Sequence, residues 1–283
     1  VSKNLIKKKK AFPLNGNDYI SFDQIEIISR QSKKKISISK IDRLPSNVRK
    51  KIKIDLKQIL KKKKIKNLKF NFTTKIMGIL NITPDSFSDG GKFNQNRLAQ
   101  KHLKYLFDCG ADIVDIGGES TRPGSKSISS KIEWNRIKYI LKKINTNKII
   151  SLDTRKSDIM EKGIINGVKL INDVSGINYD PNSISILKKY KTPFVLQHSL
   201  GTPDVMQNNP KYKNVLLDIY DFFEKKIQIL RKFGINHNNI ILDPGIGFGK
   251  NLKHNITILK DISIYHSLGL PILLGLSRKK FIK

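Results

Sequence analysis

The feature that most constrains this 283-residue chain is a regular alternation of short apolar runs and amphipathic stretches that begins at Lys75. Seven apolar runs have the length and composition of buried strands: 75–80, 111–117, 148–153, 168–174, 193–198, 239–243 and 271–275. Stretches with helical spacing separate them: 94–109, 130–144, 156–166, 182–190, 212–233 and 254–268. Strands that are apolar on both faces and alternate with helices predict a parallel sheet covered by helices.

Polar residues stand at or near the end of nearly every predicted strand. They are Asn81, Asp115, Asp153, Asn172 with Asp173, His198, Asp243 and Ser277. In a parallel barrel all carboxyl ends of the strands open at one mouth, where active sites form. A doubly wound sheet would instead concentrate its ligands at one switch point. The ring of polar ends therefore favours a TIM (β/α)8-type barrel over residues 75–283.

An eighth strand is missing from this pattern. Only "GLSRKKFIK" follows the seventh apolar run, so strand 8 and the last helices have no residues to form them. An open barrel has two exposed strand edges. We expect either that the N-terminal segment covers the gap or that the sequence is incomplete.

Residues 1–74 differ from the rest and are predicted to be a basic N-terminal extension, partly ordered at most. They hold 22 Lys and Arg against 5 Asp and Glu, whereas residues 75–283 hold 33 against 18. Residues 19–30 alternate enough for a short strand, and 46–65 have the apolar spacing of a helix with a basic opposite face. Such a helix could bind RNA or a membrane, but a solvated helix packed on the outside of the main domain is the favoured interpretation.

Composition limits the class of protein. The net charge of +32 is typical of nucleic-acid or anionic-membrane partners. Lys, Ile and Asn are abundant throughout, as AT-rich coding drift would produce, and no binding motif accompanies the lysines. Drift is therefore the favoured interpretation over a nucleic-acid partner. The single Cys109 excludes a disulfide framework, no apolar run approaches a membrane span, and the N-terminus lacks a signal core. These features predict a cytoplasmic protein.

Six motifs occur in order between residues 75 and 283. They are "GILNITPDSFSDGG", "DIGGESTRPGS", "SLDTRKS", "INDVSG", "LDPGIGFGK" and "LGLSRKKFI". Together they resemble the dihydropteroate synthases, which are transferases of folate biosynthesis and members of the pterin-binding enzymes. The resemblance implies condensation of 6-hydroxymethyl-7,8-dihydropterin pyrophosphate with 4-aminobenzoate, giving 7,8-dihydropteroate and pyrophosphate. A non-catalytic pterin-binding remnant, or one part of a split enzyme, is the alternative.

Carboxylates suit the recognition of a pterin ring, because its edge offers adjacent N–H donors and carboxylates accept paired donors well. Nearby carboxylates also stabilise positive charge that develops on the ring. By resemblance Asp153, Asp243 and Lys279 are the catalytic residues. Asn172 completes the pterin pocket with a donor and an acceptor, and Asp115 is expected to face it.

Two loops are expected to hold the pyrophosphate. By resemblance Asn81 supplies one oxygen ligand to Mg²⁺, which prefers few protein ligands together with water and phosphate oxygens. The second loop brings Thr121 and Arg122, and its glycines let backbone N–H groups approach an anion. Both loops are expected to close over the substrates.

The aminobenzoate site is implied by resemblance alone. Its expected members are Phe87, Thr121, Pro123, Phe248, Ser277 and Arg278. His198 is interpreted as a structural histidine at the mouth rather than a general base. The chain departs from the family where the eighth strand would bring an Arg and a His to the pyrophosphate. The helices that usually form a homodimer are also missing, so a homodimer is possible only by resemblance.

Overall fold

The computed structural model describes residues 2–66, 68, 73–83, 92–120, 125–144, 147–200, 210–277 and 279. The N-terminal part consists of short elements followed by one longer helix. In chain order they are α1 (Ser2–Lys7), β1 (Phe12–Leu14), β2 (Asn17–Phe22), β3 (Gln24–Ile28), β4 (Lys33–Ser37), a 3-10 helix (Ile38–Arg43) and α2 (Ser46–Leu60). Strands β1–β2 and β3–β4 form two antiparallel pairs.

Six parallel strands form the central sheet. They are β5 (Met77–Asn81), β6 (Ile113–Gly117), β7 (Ile149–Asp153), β8 (Leu170–Asp173), β9 (Phe194–Gln197) and β10 (Ile240–Asp243), and each pairs with its neighbour in sequence. This order confirms the prediction of a parallel α/β sheet that winds in one direction, as in a barrel.

The seventh apolar run does not form a full strand, so that part of the prediction was wrong. Residues 271–275 pair with β10 through a single bridge between Ile272 and Leu242. Among the described residues no further strand pairs with β5 or with the seventh run. Because the seventh run pairs with a described strand on one side and not on the other, it forms a single bridge instead of a full strand. The same lack of a described partner on one side of β5 explains why Ile79, which has the strand parity of the barrel interior, is 55% exposed.

Six α-helices alternate with the strands of the sheet. They are α3 (Lys92–Asp108), α4 (Ser130–Leu141), α5 (Ser157–Ile165), α6 (Ser183–Tyr190), α7 (Val215–Lys232) and α8 (Leu252–Lys260). The predicted helix 254–268 instead divides at Asp261 into α8 and a 3-10 helix, Ile262–Leu268. The apolar faces of these helices pack on the outer face of the sheet and form the main core. No helix in the described part of the chain is long and apolar enough to cross a membrane.

The interior of the barrel changes character along its axis. Near the amino ends of the strands it is filled by an apolar layer, made of Met77, Ile113, Ile149, Leu170, Val195, Ile241 and Leu273. Two residues further along, the same face carries a polar side chain on β6 to β10, because side chains alternate with period two, whereas β5 carries Ile79 there. Ile65 and Leu68, which follow α2, join the apolar layer from below. The N-terminal segment thus covers part of the amino end of the barrel, whereas the carboxyl end is polar.

The N-terminal segment also packs on the outside of the barrel. Ile52 and Leu56 of α2 pack in a small core of their own segment, and Lys51 reaches the hydroxyl of Tyr220 on α7 at 3.2 Å. Arg30 pairs with Asp218 at 2.7 Å, and Lys33 pairs with Asp261 at the same distance. The expectation of an amphipathic helix packed outside the main domain is confirmed for α2. The domain boundary at residue 74 stays a prediction.

Candidate active site

The carboxyl ends of four adjacent strands place polar residues side by side. Asn81 pairs in register with Gly117, Gly117 with Asp153, and Asp153 with Asn172. A Cβ atom placed on Gly117 would lie 3.2 Å from Oδ1 of Asn81 and 3.4 Å from Oδ2 of Asp153. Glycine at this position therefore leaves a space between an amide oxygen and a carboxylate at the mouth of the barrel.

One layer deeper, Asp115 joins this group. Its Oδ2 accepts a hydrogen bond from Nδ2 of Asn172 at 2.8 Å. Asp115 is buried, and burial raises the pKa of its carboxyl. Burial also raises the pKa of Asp153 well above its ordinary value, and the charges of Asp115 and Glu133 add to the effect. The barrel thus holds two neighbouring carboxyls for which ionisation is unfavourable in the free protein.

Three buried acceptor atoms in this group have no hydrogen-bond partner among the described residues. They are Oδ1 of Asp115, Oδ1 of Asp153 and Oδ1 of Asn172. A buried polar atom without a partner costs about 1–3 kcal/mol, more if it is charged. All three residues have the inward strand parity of the barrel, and a ligand with several N–H donors would satisfy their free oxygens.

Asp243 enters the same mouth from β10. Its Oδ1 accepts a hydrogen bond from the N–H of Gly245 at 2.7 Å, and burial raises its pKa to about 6 against the charges of Lys250 and Lys279. Gly245 has φ +67°, and a Cβ there would lie 2.0 Å from the carbonyl oxygen of His198. The turn after β10 therefore requires glycine at 245 and holds the carboxylate in place.

Lys279 and Phe248 lie together at the edge of this mouth. Nζ of Lys279 is 4.4 Å from the centre of the Phe248 ring, a cation–π distance. Burial lowers the pKa of Lys279, and Asp243 opposes that change. The ammonium of Lys279 and the carboxylate of Asp243, which come from two separate motifs, thus each shift the pKa of the other.

The structure places eight of the predicted site residues at this end of the barrel. Asp115, Asp153 and Asn172 are mutual neighbours, Asp243, Phe248 and Lys279 form a second group, and Asn81 and Ser277 are exposed. Five predicted site residues lie outside the described residues: Phe87, Thr121, Arg122, Pro123 and Arg278. His198 lies buried in the wall, with its ring 4.9 Å from Phe222 and edge-on to it. Burial and the charge of Lys250 lower the pKa of His198 to about 3.

A buried ion network beside Asp153 was missed by the sequence reasoning. Nζ of Lys156 donates to Glu119 at 2.8 Å and to Glu133 at 2.6 Å, and all three residues are buried. Arg155 adds a second contact to Glu119 at 3.2 Å. Glu119 also accepts a hydrogen bond from the N–H of Ile128 at 3.0 Å. The network joins the segment after β6, helix α4 and the segment after β7. In the sequence, the charged residues in "GGEST" and "DTRKS" were the features that could have indicated this network.

The sequence-based prediction also missed Gln197. Gln197 has the inward parity of β9, two residues after Val195, and its buried Nε2 has no partner in the described part of the chain. It supplies an unpaired donor to a site that is otherwise rich in acceptors. Counting by two from a buried apolar residue would have found it.

Comparison with known proteins agrees with this geometry. The family described as "Pterin binding enzyme" matches residues 77–283. Dihydropteroate synthase of Clostridium beijerinckii is 44% identical over 223 residues, which cover 77% of this chain and 80% of the relative. The Escherichia coli K12 dihydropteroate synthase is 39% identical over 209 residues, covering 73% and 74% of the two chains.

Solved structures give the same result. A Clostridium difficile dihydropteroate synthase, crystallised in the presence of pteroic acid, is 42% identical with a TM-score of 0.70, over 76% of this chain and 80% of that one. The Xanthomonas albilineans dihydropteroate synthase in complex with 7,8-dihydropteroate is 31% identical with a TM-score of 0.67, over 76% of each chain. These matches also support the TIM-barrel assignment. The chain belongs to the pterin-binding enzyme family and, within it, to the dihydropteroate synthases.

Proposed function

We propose that the chain condenses 6-hydroxymethyl-7,8-dihydropterin pyrophosphate with 4-aminobenzoate, giving 7,8-dihydropteroate and pyrophosphate. The observation that carries this proposal is the presence, on adjacent strands, of three buried acceptors without a partner among the described residues, on Asp115, Asp153 and Asn172. A pterin presents adjacent N–H donors along one edge. Such a ligand would satisfy all three acceptors at once, and the unpaired amide of Gln197 would donate to one of its acceptors.

The carboxylates also suit the chemical step. The C–O bond between the pterin methylene and pyrophosphate breaks, and its electron pair leaves with the pyrophosphate. The lone pair of the arylamine nitrogen then forms the C–N bond, and that nitrogen releases one proton. Positive charge develops on the pterin in between. Asp153 and Asp243, held in place before the reaction, stabilise that charge more strongly in a buried site than in water.

The raised pKa values of both aspartates support this role. Burial makes each carboxylate unfavourable in the free protein. A bound ring that donates hydrogen bonds and gains positive charge restores the ionised form. The site therefore interacts more strongly with the cationic transition state than with the neutral substrate, which is the condition for catalysis.

The residues present fit a magnesium ion bound together with pyrophosphate. Oδ1 of Asn81 is an exposed amide oxygen at the mouth, next to Oδ2 of Asp153 across Gly117. Hard oxygen donors in small number are what Mg²⁺ takes when it is bound together with phosphate. No group of three His, Cys, Asp or Glu in the described residues would hold a metal by itself. We assign Asn81 as the protein ligand; the ion would neutralise charge on the departing pyrophosphate.

The test is release of pyrophosphate by the purified chain with dihydropterin pyrophosphate, Mg²⁺ and 4-aminobenzoate. Asp153→Ala removes the central carboxylate. Asp158→Ala is the matched control, because Asp158 lies on α5 and pairs at its surface with Lys162. We expect release that depends on the arylamine, is lost in Asp153→Ala and is kept in Asp158→Ala.

A binding protein without turnover is the second candidate. It is favoured by the side of the barrel at β5, where Ile79 is exposed and no further strand pairs with β5 among the described residues. A folded chain that binds the pterin but releases no pyrophosphate would establish this alternative and refute the catalytic proposal.

A further inference from the structure

A buried lysine in the wall of the site is assigned no contact with either substrate in the chemistry proposed above. Lys250 is only 4% exposed, although lysine is almost never fully buried without partners. Burial lowers its pKa to about 7, and Asp243 opposes that change. Burying an amine at this position costs free energy, so its hydrogen bonds must offset that cost.

The amine of Lys250 joins two separate elements. Its Nζ donates to the carbonyl oxygen of Phe248 at 2.9 Å and to that of His198 at 3.3 Å. Nζ is also 3.1 Å from Nδ1 of His198. Phe248 belongs to the turn after β10, whereas His198 directly follows β9. One side chain therefore fastens the turn to the neighbouring strand.

The turn needs such anchors because of its own sequence. Residues 245, 247 and 249 are glycines, all with positive φ, and glycine restricts the backbone least of all residues. Other side chains hold parts of the turn. The hydroxyl of Tyr212 donates to the carbonyl of Gly249 at 2.9 Å, and Oδ1 of Asn255 accepts from the N–H of Gly247 at 2.9 Å. Lys250 holds the carbonyl of Phe248 itself.

The contacts of Lys250 hold in either protonation state. Among the described residues, the charges of Asp243 and Lys279 act on the pKa of Lys250. Burial and the charge of Lys250 lower the pKa of His254. A neutral amine has two N–H donors for the two carbonyls and a lone pair for an N–H of His198. An ammonium has three donors, and the other tautomer of His198 accepts the third. The link is therefore expected to persist across neutral pH.

We propose that Lys250 is a positioning residue that sets the place of the Phe248 ring and thereby the affinity for the arylamine. The inference rests on the proposed function and on the expectation, drawn from the family resemblance, that Phe248 lines the aminobenzoate site; the structure places the Phe248 ring beside Lys279. Loss of the amine would free the Phe248 carbonyl and allow the glycine-rich turn to shift. The pterin acceptors on β6, β7 and β8 would stay in place.

The experiment compares Lys250→Met, Lys250→Gln and the native chain by steady-state kinetics with each substrate varied in turn. Lys63→Met is the matched control. Lys63 is also a partly buried lysine with a lowered pKa that donates to a backbone carbonyl, that of Gln58 at 2.6 Å. It lies at the amino end of the barrel, away from the site.

We expect Lys250→Met to raise KM for 4-aminobenzoate about tenfold, because a hydrogen bond from a charged donor contributes about that factor or more. KM for the pterin substrate should change by less than about threefold, within the usual scatter of a distant substitution. Lys250→Gln keeps a donor and should restore part of the loss. An unchanged KM for 4-aminobenzoate, an equal rise in both KM values, or the same rise in Lys63→Met would overturn the proposal.

Folding and turnover are controlled separately. Thermal unfolding and pterin binding establish whether each variant is folded. If Lys250→Met does not fold, the KM values of Lys250→Gln are compared with those of the native chain instead. A native chain that forms no product refutes the proposed function. In that case the dissociation constant of 4-aminobenzoate, measured with pterin and pyrophosphate present, gives the same comparison. A tenfold weaker constant in the variant would still support positioning, and an equal one would refute it.

Discussion

Replacing Asp243 by Asn should make the free protein more stable while it removes activity. Asp243 is buried, and its pKa is raised from 3.8 to about 6. A group whose folded pKa is raised binds more protons in the native state, so stability falls as the pH rises through that interval. One pH unit corresponds to about 1.4 kcal/mol, so the ionised carboxylate costs the native state about 3 kcal/mol above pH 7.

Asparagine carries no charge and keeps an oxygen that can accept the N–H of Gly245, which donates to Asp243 at 2.7 Å. We therefore expect Asp243→Asn to gain about 1–3 kcal/mol at pH 7.5, or about 2–4 °C in unfolding temperature for each kcal/mol. The difference should narrow as the pH falls and vanish near pH 4, where the native carboxyl is already protonated.

The assay is thermal unfolding followed by circular dichroism at pH 4.5, 6.0 and 7.5. Asp112→Asn serves as a control of opposite sign. Asp112 accepts from Lys75 at 2.7 Å and from the N–H of Ile76 at 2.9 Å, and these contacts lower its pKa. Its substitution should destabilise the fold at neutral pH, with an effect that is lost as the pH falls below about 4. The reasoning is refuted if Asp243→Asn unfolds at or below the native temperature at pH 7.5, or if its advantage does not shrink in acid.

Three further predictions concern the mouth of the barrel. Gly117→Ala should weaken pterin binding about tenfold by calorimetry with little change in unfolding temperature, because its methyl group would lie between Asn81 and Asp153; unchanged binding would contradict this geometry. Lys156→Met should destabilise the fold by about 3–5 kcal/mol in denaturant titration, because the buried Glu133 would lose its partner and Glu119 would keep only Arg155 among the described residues; a loss below about 1 kcal/mol would show that the network is dispensable. Asn81→Ala should raise the Mg²⁺ concentration needed for half-maximal pyrophosphate release several-fold, and an unchanged requirement would remove Asn81 as a ligand.

Electrostatics at this end of the barrel explains why the buried lysines matter. The charges of Glu133 and Glu119 both raise the pKa of Asp153. Lys156 lies between those two glutamates and pairs with each. Without it, Glu133 would lose its ion-pair partner and Glu119 would keep only Arg155 in the described part of the chain, so more negative charge would oppose ionisation of Asp153. The network therefore supports the site electrically as well as mechanically.

The sequence by itself determined the order and type of the elements after residue 75. Apolar periodicity is a local property, so it located six strands and five helices within a few residues, and for α8 it located the start but not the end. The polar strand ends and the six motifs indicated the mouth of the barrel and the family. Asp153 and Asn172 could be predicted as neighbours, because parallel strands end together at one edge.

Only the tertiary structure decided which of these groups are buried, paired or left without a partner. The sequence shows Lys156 and Lys250 as two lysines among many, and only packing places each against specific oxygens. Ile65 and Leu68 enter the amino end of the barrel although nothing local distinguishes them from a surface segment. The physical reason is the same in each case. Burial and hydrogen-bond partners depend on residues far apart in the chain, whereas periodicity and motifs depend only on near neighbours.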